Sequence, residues 1–442
     1  MNTLHGEYRR HSRTGIKTSI SMAMEENGLN SKTQDISESG LSIIKPPQLD
    51  MALGQTVKVT FSRMPNFSVP AKVVRVSSET IGLELEHFRL SESDINGIVK
   101  SAPFHERVKT QTKRAIWKFL RRSAMLLANT LFRKPLIALI KPQFLFAVYG
   151  NKKDVGTYYT PFMSKFLPPI MIASVISNQG HKGLMVASKH LESELSEDSD
   201  KVRDYLDHLQ KAFPAVRNVA LVGRLPNFAL KAGVDIEPPY VDGSMGTRYM
   251  IWDVGRQMRN LAKYQNENCI CVLGGAGRIG NLVCEDLARE YSNVIAFDSR
   301  YLTDEKVYAP NGTILRTSNK DKLRDTKLFI CLTHHGDVIT DFMSHISAGS
   351  LIADDTHPCI SLEVREQLAA IHVKTKKIVL YHENFTMWPR MPAWNNRAIP
   401  GCLVEALVIQ QSQGVDVHDF DSFKQTAQAI GFEGKLILPL QE

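Results

Sequence analysis

The sequence predicts a multi-domain chain: a small β-barrel at the N-terminus, followed by an α/β region built on a parallel sheet. Two changes of texture carry this. Residues 14–88 are short alternating segments rich in Val, Ile, Thr and Phe, punctuated by Gly, Asn, Pro and Ser roughly every 8–12 residues. From about residue 142 the apolar runs become continuous and are separated by helix-length segments, as strands buried on both faces require. At 442 residues, with 43% apolar and 23% charged side chains, two to three domains can each bury a core.

The barrel strands are GIKTSISM, GLSIIKP, QTVKVTFS, VPAKVVRVSS and TIGLELEHF, and a helix over 91–101 closes this first domain, 1–101. Ser91 and Asp94 there are spaced as in a capping box. A basic helical linker, 102–141, comes next. Within it 106–134 is helical, because Trp117, Leu120, Ala124, Leu127 and Leu131 share one stripe with Lys118 and Arg122 opposite. Residues 100–141 hold eleven Lys or Arg against one acid, Glu106, and this segment accounts for the whole net charge of +8. The helix is either a solvated connector packed on its neighbour or a contact for acidic lipid headgroups or a partner protein.

The runs FLFAVYG, GLMVAS and NVALVG form a substrate lobe, 142–247, and CICVLGG, NVIAFD, LFICLT and SLIADD belong to a nucleotide-binding lobe, 248–442. Pro238-Pro239 and DGSMG (242–246) mark the joint. The N-terminal residues lack the apolar core of a signal peptide, and the longest uncharged apolar stretch, 166–180, is too short to cross a membrane. Six cysteines, all in the C-terminal part, show neither disulfide-like nor metal-ligand spacing, so a reducing compartment and no metal site are expected.

Two motifs stand out near the N-terminus. YRRHSR (8–13) contains Arg-x-x-x-Arg at Arg9 and Arg13, and DISESG (35–40) contains acid-x-Ser-x-x-Gly at Asp35, Ser37 and Gly40. This pair, in this order and ahead of a small barrel, resembles the PilZ family of cyclic di-GMP receptors over residues 7–101. The resemblance implies that Arg9, Arg10 and Arg13 clamp cyclic di-GMP from a flexible arm while Asp35, Ser37 and Gly40 hold it from the barrel face. The chemistry suits that ligand. A guanidinium forks onto guanine N7 and O6 or onto phosphate oxygens, as lysine cannot. A carboxylate accepts from guanine N1 and N2, a serine adds a short hydroxyl, and glycine lets the backbone come close.

A second motif, CVLGGAGRIGNLVCEDLA (271–288), reads strand, glycine turn, amphipathic helix. Gly275 serves the tight turn, Gly277 the approach of a pyrophosphate, and Gly280 the close packing of helix on strand, with Arg278 and Ile279 between them at the helix start. This is a Rossmann-type NAD(P) fingerprint. Asp298, 23 residues beyond Gly275, would bond ribose hydroxyls and argues for NAD, while Arg300 leaves NADP open.

Cys402 follows Pro400-Gly401 at a predicted helix start, where the helix terminus favours a nucleophilic thiolate; a structural role is the alternative. His357, after LIADDT at the ligand-binding edge of the sheet, is the candidate proton donor, with Cys359 two residues on and His334 and His335 on the same rim. Cys269, Cys271, Cys284 and Cys331 read as packing. The ordered blocks FLFAVYGNKKDV, VALVGRLPNFALKAG, DGSMGTRYMIWDVGRQM, GSLIADDTHP, GCLVEAL and AIGFEGKLILPL make 143–442 similar to the long-chain acyl-(acyl-carrier-protein) reductases and the dehydrogenases around them. That resemblance implies an acyl thioester or acyl carrier protein as substrate, the cysteine of a Cys-x-x-Glu-Ala segment (here Cys402 with Glu405 and Ala406) as nucleophile, and NADPH as cofactor. The whole then reads as a cyclic di-GMP-regulated oxidoreductase. Its rivals are a non-catalytic effector or adaptor, and a dehydrogenase of another small substrate. A homo-oligomer in the cytoplasm is expected, with no nucleic-acid polymer among its partners and peripheral contact at the inner membrane through 106–134.

Overall fold

A computed structural model describes residues 14–15, 19–24, 27–37, 40–46, 51–61, 64–85, 92–150, 159–389, 398–412, 417 and 419–437. These divide into two compact units with a boundary at Leu120/Arg121. The arginine arm (Arg9, Arg10 and Arg13) lies outside the described residues.

The first unit holds an antiparallel sheet: β1 (Thr14–Gly15), β2 (Ser19–Met24), β3 (Asn27–Ser37), β4 (Gly40–Ile44), β5 (Thr56–Phe61), β6 (Met64–Val76) and β7 (Thr80–Leu85). The order is β1-β3-β2-β5-β6-β7-β4, and β4 also pairs with β3, so β2 to β7 form a ring of pairings. Alternation decides which side chains face inward. Val57, Val59 and Phe61 of β5 are buried together with Ile36, Leu41, Ile43, Val73, Ile81 and Leu83, while Thr56 and Lys58 are exposed. Helix α1 (Glu92–Ser101) closes this core with Ile95, Ile98 and Val99.

The predicted helix over 106–134 is two helices, α2 (Phe104–Asn129) and α3 (Arg133–Ile140), meeting at 78°. Pro135 explains the break. It has no N–H to give residue 131, but it is tolerated in the first turn of a new helix, where no donor is needed.

The second unit carries two sheets. The first contains β8 (Phe144–Gly150), β9 (Ile170–Asn178), β10 (His181–Leu191), β11 (Asn218–Leu221) and β12 (Tyr240–Val241). Strands β10, β8, β11 and β12 run parallel, and β9 is antiparallel to β10. Alternate residues of β8 serve two cores. Leu145 and Ala147 face a layer with α4 (Ser199–Ala212), whereas Phe144 and Phe146 face a core shared with the second sheet. Tyr205 of α4 is wholly buried, and its hydroxyl donates to Val186 O at 2.8 Å.

The connecting helix α5 (Ser244–Asn260) leads to the second sheet: β13 (Cys269–Leu273), β14 (Asn293–Phe297), β15 (Glu305–Ala309), β16 (Gly312–Thr317), β17 (Leu328–Cys331), β18 (Leu351–Asp354) and β19 (Lys374–Tyr381). Strand β20 (Thr386–Trp388) returns to pair with β9, and β21 (Ala398–Ile399) and β22 (Glu433–Ile437) pair with β19. Strands β16-β14-β13-β17-β18-β19 are all parallel. Their faces are covered by α5, α6 (Arg278–Leu287), α8 (Gly401–Gln411) and α9 (Phe420–Ile430) on one side and by α7 (Leu362–Ala370) on the other. Every continuous apolar run named above lies in a parallel strand. This is a multi-domain chain with an α/β portion built on parallel sheets.

Candidate functional site

In the first unit Asp35, Ser37 and Gly40 lie on the β3–β4 hairpin. Strand β1 runs antiparallel to β3, with Thr14 opposite Ile36 and Gly15 opposite Asp35. The residue that follows Arg13 in the chain is therefore fixed beside the strand carrying Asp35, which is half-buried. Ser37 and Gly40 have local duties as well. The Ser37 hydroxyl donates to Gly40 O at 3.1 Å across the β3–β4 turn. A Cβ on Gly40 would lie 2.3 Å from Leu83 O, so the neighbouring strand β7 by itself already requires glycine here.

The glycine loop leaves β13 at the C-terminal edge of the parallel sheet. The turn residue with positive φ is Gly274 (φ 91°), not Gly275, a correction to the expectation. Gly275 packs instead on β14, where a Cβ would come 2.8 Å from Ala296 Cα. Gly280 is as expected: a Cβ would lie 2.2 Å from Gly274 O, so only glycine lets α6 sit this close to the turn. Gly277, the N-cap of α6, is less hemmed in, with its nearest foreign atom 3.1 Å from an added Cβ. The loop is thus a tight cradle opening at the start of a helix, the environment in which backbone amides hold phosphate. Arg278, the first residue of α6, turns its guanidinium to the Asp242 carboxylate.

Asp298 follows β14 beside this loop, and its carboxylate is already engaged. Its carboxylate accepts from Arg300 Nε (2.9 Å) and Nη2 (2.8 Å), and from the amides of Arg300 (3.0 Å) and Ala276 (3.1 Å). Burial pushes its pKa up, but the Arg300 fork and the two amides outweigh burial and leave it below the ordinary value. The Arg300 side chain is 62% exposed, so the group presented to solvent here is a guanidinium.

A third cluster forms where the two lobes of the second unit meet. Cys402 is the second residue of α8, whose first turn packs backbone-to-backbone on the first turn of α5. Added Cβ atoms would meet Cys402 Cβ at 2.4 Å from Gly243, Gly401 O at 2.1 Å from Gly246, and Thr247 Cα at 2.7 Å from Gly401. Three glycines therefore make the crossing possible. Glu405, one turn into α8, accepts from the Met245 amide at 2.8 Å and from Gly246, capping α5 from outside. Burial, with Asp242 nearby, lifts Glu405 to about 7 against these amides.

Around the Cys402 sulfur stand groups from both lobes. Burial pushes the thiol up to about 12; the amides of Gly223, Cys402 and Leu403 act downward, and Asp355 acts upward. The helix-terminus argument for a ready thiolate is thus reversed by desolvation. Gly223 follows β11, and its neighbour Arg224 donates its amide to the Tyr149 hydroxyl at 3.0 Å; burial raises the Tyr149 pKa, with Cys402 among the lesser causes. Asp355 follows β18 and is lifted by burial to about 7, against Lys377. Lys377 donates to Thr356 O at 2.7 Å. His357 sits in a crevice, its surface reached by solvent while the surrounding protein and Lys377 push it down to about 4. At pH 7 such an imidazole is neutral. His335 accepts the Asp337 amide at 3.0 Å as a helix cap, and Cys271, Cys284, Cys331 and Cys359 are buried.

Sequence reasoning missed Gly274, Tyr149, Asp355 and Lys377. The second Asp of LIADDT was a visible signal for Asp355. Nothing in the sequence marked Tyr149 or Lys377, which reach the cluster through the parallel pairings of β8 with β11 and of β19 with β18.

The Glu405 cap has a testable consequence. Its folded pKa lies above the ordinary 4.5, so the folded state keeps a proton that the unfolded state has lost between pH 4.5 and about 7. Stability from this group is complete below that window and declines through it by about 3 kcal/mol. Glu405→Gln should gain on wild type by about that much between pH 4.5 and 7.5 in urea unfolding. A pH-independent difference between the two would contradict the assignment.

Comparison with known proteins follows the same division. Residues 7–100 match the PilZ domain family. A search of curated proteins finds no match to the chain. Among solved structures, the Bacillus subtilis inhibitor of motility is 16% identical over 22% of this chain and 49% of its own, with TM-score 0.18; the chain spans about half its length. The PilZ domain of Escherichia coli YcgR, solved with cyclic di-GMP, is 13% identical over 25% of this chain and 98% of its own, with TM-score 0.19. L-Tryptophan dehydrogenase from Nostoc punctiforme is 11% identical over 65% of this chain and 80% of its own, with TM-score 0.32. The segment from residue 7 to residue 100 of this chain is a PilZ domain.

Proposed function

We propose that the PilZ domain binds cyclic di-GMP and that the second unit is a nicotinamide-dependent oxidoreductase acting on an acyl thioester at Cys402. The observation that supports the enzymatic part most strongly is the convergence on Cys402 of the Gly223 amide from one lobe and Asp355 from the other, beside a glycine cradle open at a helix start. A bound nicotinamide would supply or accept hydride. The cradle of Gly274, Gly275, Gly277 and Gly280 would hold the pyrophosphate, and the Arg300 fork over Asp298 favours NADP, because the exposed cation suits a 2′-phosphate and the acid is already neutralised.

Catalysis by the chain's own residues begins with a protonated thiol. Asp355, half-ionised near pH 7, is the base suited to take the Cys402 proton. The sulfur then adds to the thioester carbonyl, and collapse of the resulting oxyanion breaks the substrate C–S bond, the departing thiolate taking the proton held by Asp355. The amides of Gly223, Cys402 and Leu403, which already favour negative charge on sulfur, would stabilise the oxyanion. The messenger would control this activity or the protein's location.

Calorimetry with cyclic di-GMP, NADPH and NADH, followed by cofactor oxidation with long-chain acyl thioesters, tests the proposal. Binding of the first two and turnover lost in Cys402→Ser are expected; Arg300→Ala should lose the preference for NADPH over NADH. One observation favours a non-catalytic effector instead, namely the strongly raised Cys402 thiol. Wild-type protein that binds both nucleotides yet turns over no thioester would select that reading. Turnover of another substrate retained by Cys402→Ser would select a different dehydrogenase.

A further inference from the structure

We propose that helices α2 and α3 dock the protein onto an anionic lipid surface. The apolar stripe of α2 is open: Trp117, Leu120 and Leu127 are all exposed, and Leu131, in the turn that follows, is 73% exposed. Phe119, Phe132 and Leu139 extend the open apolar area, Leu139 being 80% exposed.

The orientation of the stripe is fixed from the far side of the helix. Asn129, nearly 180° around α2 from the stripe, is 1% exposed and bonds both ways with β9: its Nδ2 donates to Ile172 O at 3.0 Å, and the Ile172 amide donates to its Oδ1 at 2.6 Å. Helix α3 repeats the arrangement, with Leu136, Ile137 and Ile140 against the first-lobe core and Leu139 turned outward. The open face is thus held in place by buried contacts behind it.

Charge decides what covers this face. Residues 100–141 contain eleven Lys or Arg and one acid. A second copy would bring the same cations together without acids to answer them, which disfavours self-association through the stripe. A nucleic acid would match the charge but leave the leucines and aromatics wet. A leaflet containing anionic glycerophospholipid matches both features: apolar side chains enter the acyl boundary, and Lys109, Lys113 and Lys134 reach the headgroups. No single helix among the described residues is long and apolar enough to cross a membrane, and the 78° bend suits a pair lying along the surface.

Co-sedimentation of the full chain with vesicles tests this. Phosphatidylcholine containing phosphatidylglycerol should pellet the protein, in a salt-sensitive manner, and phosphatidylcholine alone should not. Lys113→Gln with Lys134→Gln should weaken partitioning roughly fivefold per cation removed. Trp117→Ser with Leu131→Ser should abolish it while leaving the circular dichroism and unfolding temperature unchanged. Equal pelleting on both vesicles, no pelleting on either, a dimer dissociated by the serine variant, or tight binding of polyuridylate unaffected by it would each overturn the proposal.

Discussion

Gly280→Ala should weaken NADPH binding by the second unit on the order of a hundredfold and leave cyclic di-GMP binding by the PilZ domain intact. The new Cβ would lie 2.2 Å from Gly274 O and 3.1 Å from Gly275 Cα. Both are backbone atoms, so no rotamer relieves the clash, and α6 must move off the turn that its first amides line. Overpacking of this kind costs about 1–3 kcal/mol of stability, and loss of helix-terminus contacts to phosphate should lower affinity on the order of a hundredfold. Gly277→Ala separates the two effects. Its closest contact is 3.1 Å, which a small shift absorbs, so stability should change little while the pyrophosphate is still displaced. Calorimetry with NADPH and thermal unfolding of each variant read both quantities. Undiminished affinity in both variants would mean that the loop is not a dinucleotide cradle.

Cyclic di-GMP binding should fall on the order of a thousandfold in Arg9→Ala/Arg13→Ala and by at least tenfold in Asp35→Ala, read by calorimetry. A hydrogen bond with a charged arginine or carboxylate contributes about 1.5–3 kcal/mol. The β1–β3 pairing places Gly15, in the segment after the arm, opposite Asp35. Ser37→Ala is the informative contrast, because its hydroxyl also closes the β3–β4 turn through Gly40 O. It should cost stability as well as affinity. A double arginine variant that binds as tightly as wild type would remove the basis for a messenger pocket.

The parallel α/β architecture was legible because each buried strand announces itself within its own few residues: CICVL, NVIAF and LFIC have apolar side chains on both faces. Strand β9 was not, since IMIASVISN sits in an apolar stretch whose length argued chiefly against a membrane span, and its antiparallel pairing with β10 depends on the hairpin. The break between α2 and α3 could have been read from Pro135, but the apolar stripe running through to Leu131 masked it.

Chemistry followed the same line. Motif identity, charge asymmetry and the order of the domains are local properties, and so Arg9, Arg13, Asp35, Gly280 and Cys402 could be picked out one at a time. Whether a group is ionised, engaged or open depends on atoms brought from far along the chain. Glu405 became a helix cap because Met245, 160 residues away, lies beneath it. Cys402 lost its expected thiolate to desolvation between two lobes, Asp355 gained a pKa near 7 from the same burial, and the stripe of α2 stayed open because Asn129 turned its opposite side to β9. Residue type specifies which interactions a side chain can make; the low dielectric and long-range contacts of the folded chain select among them.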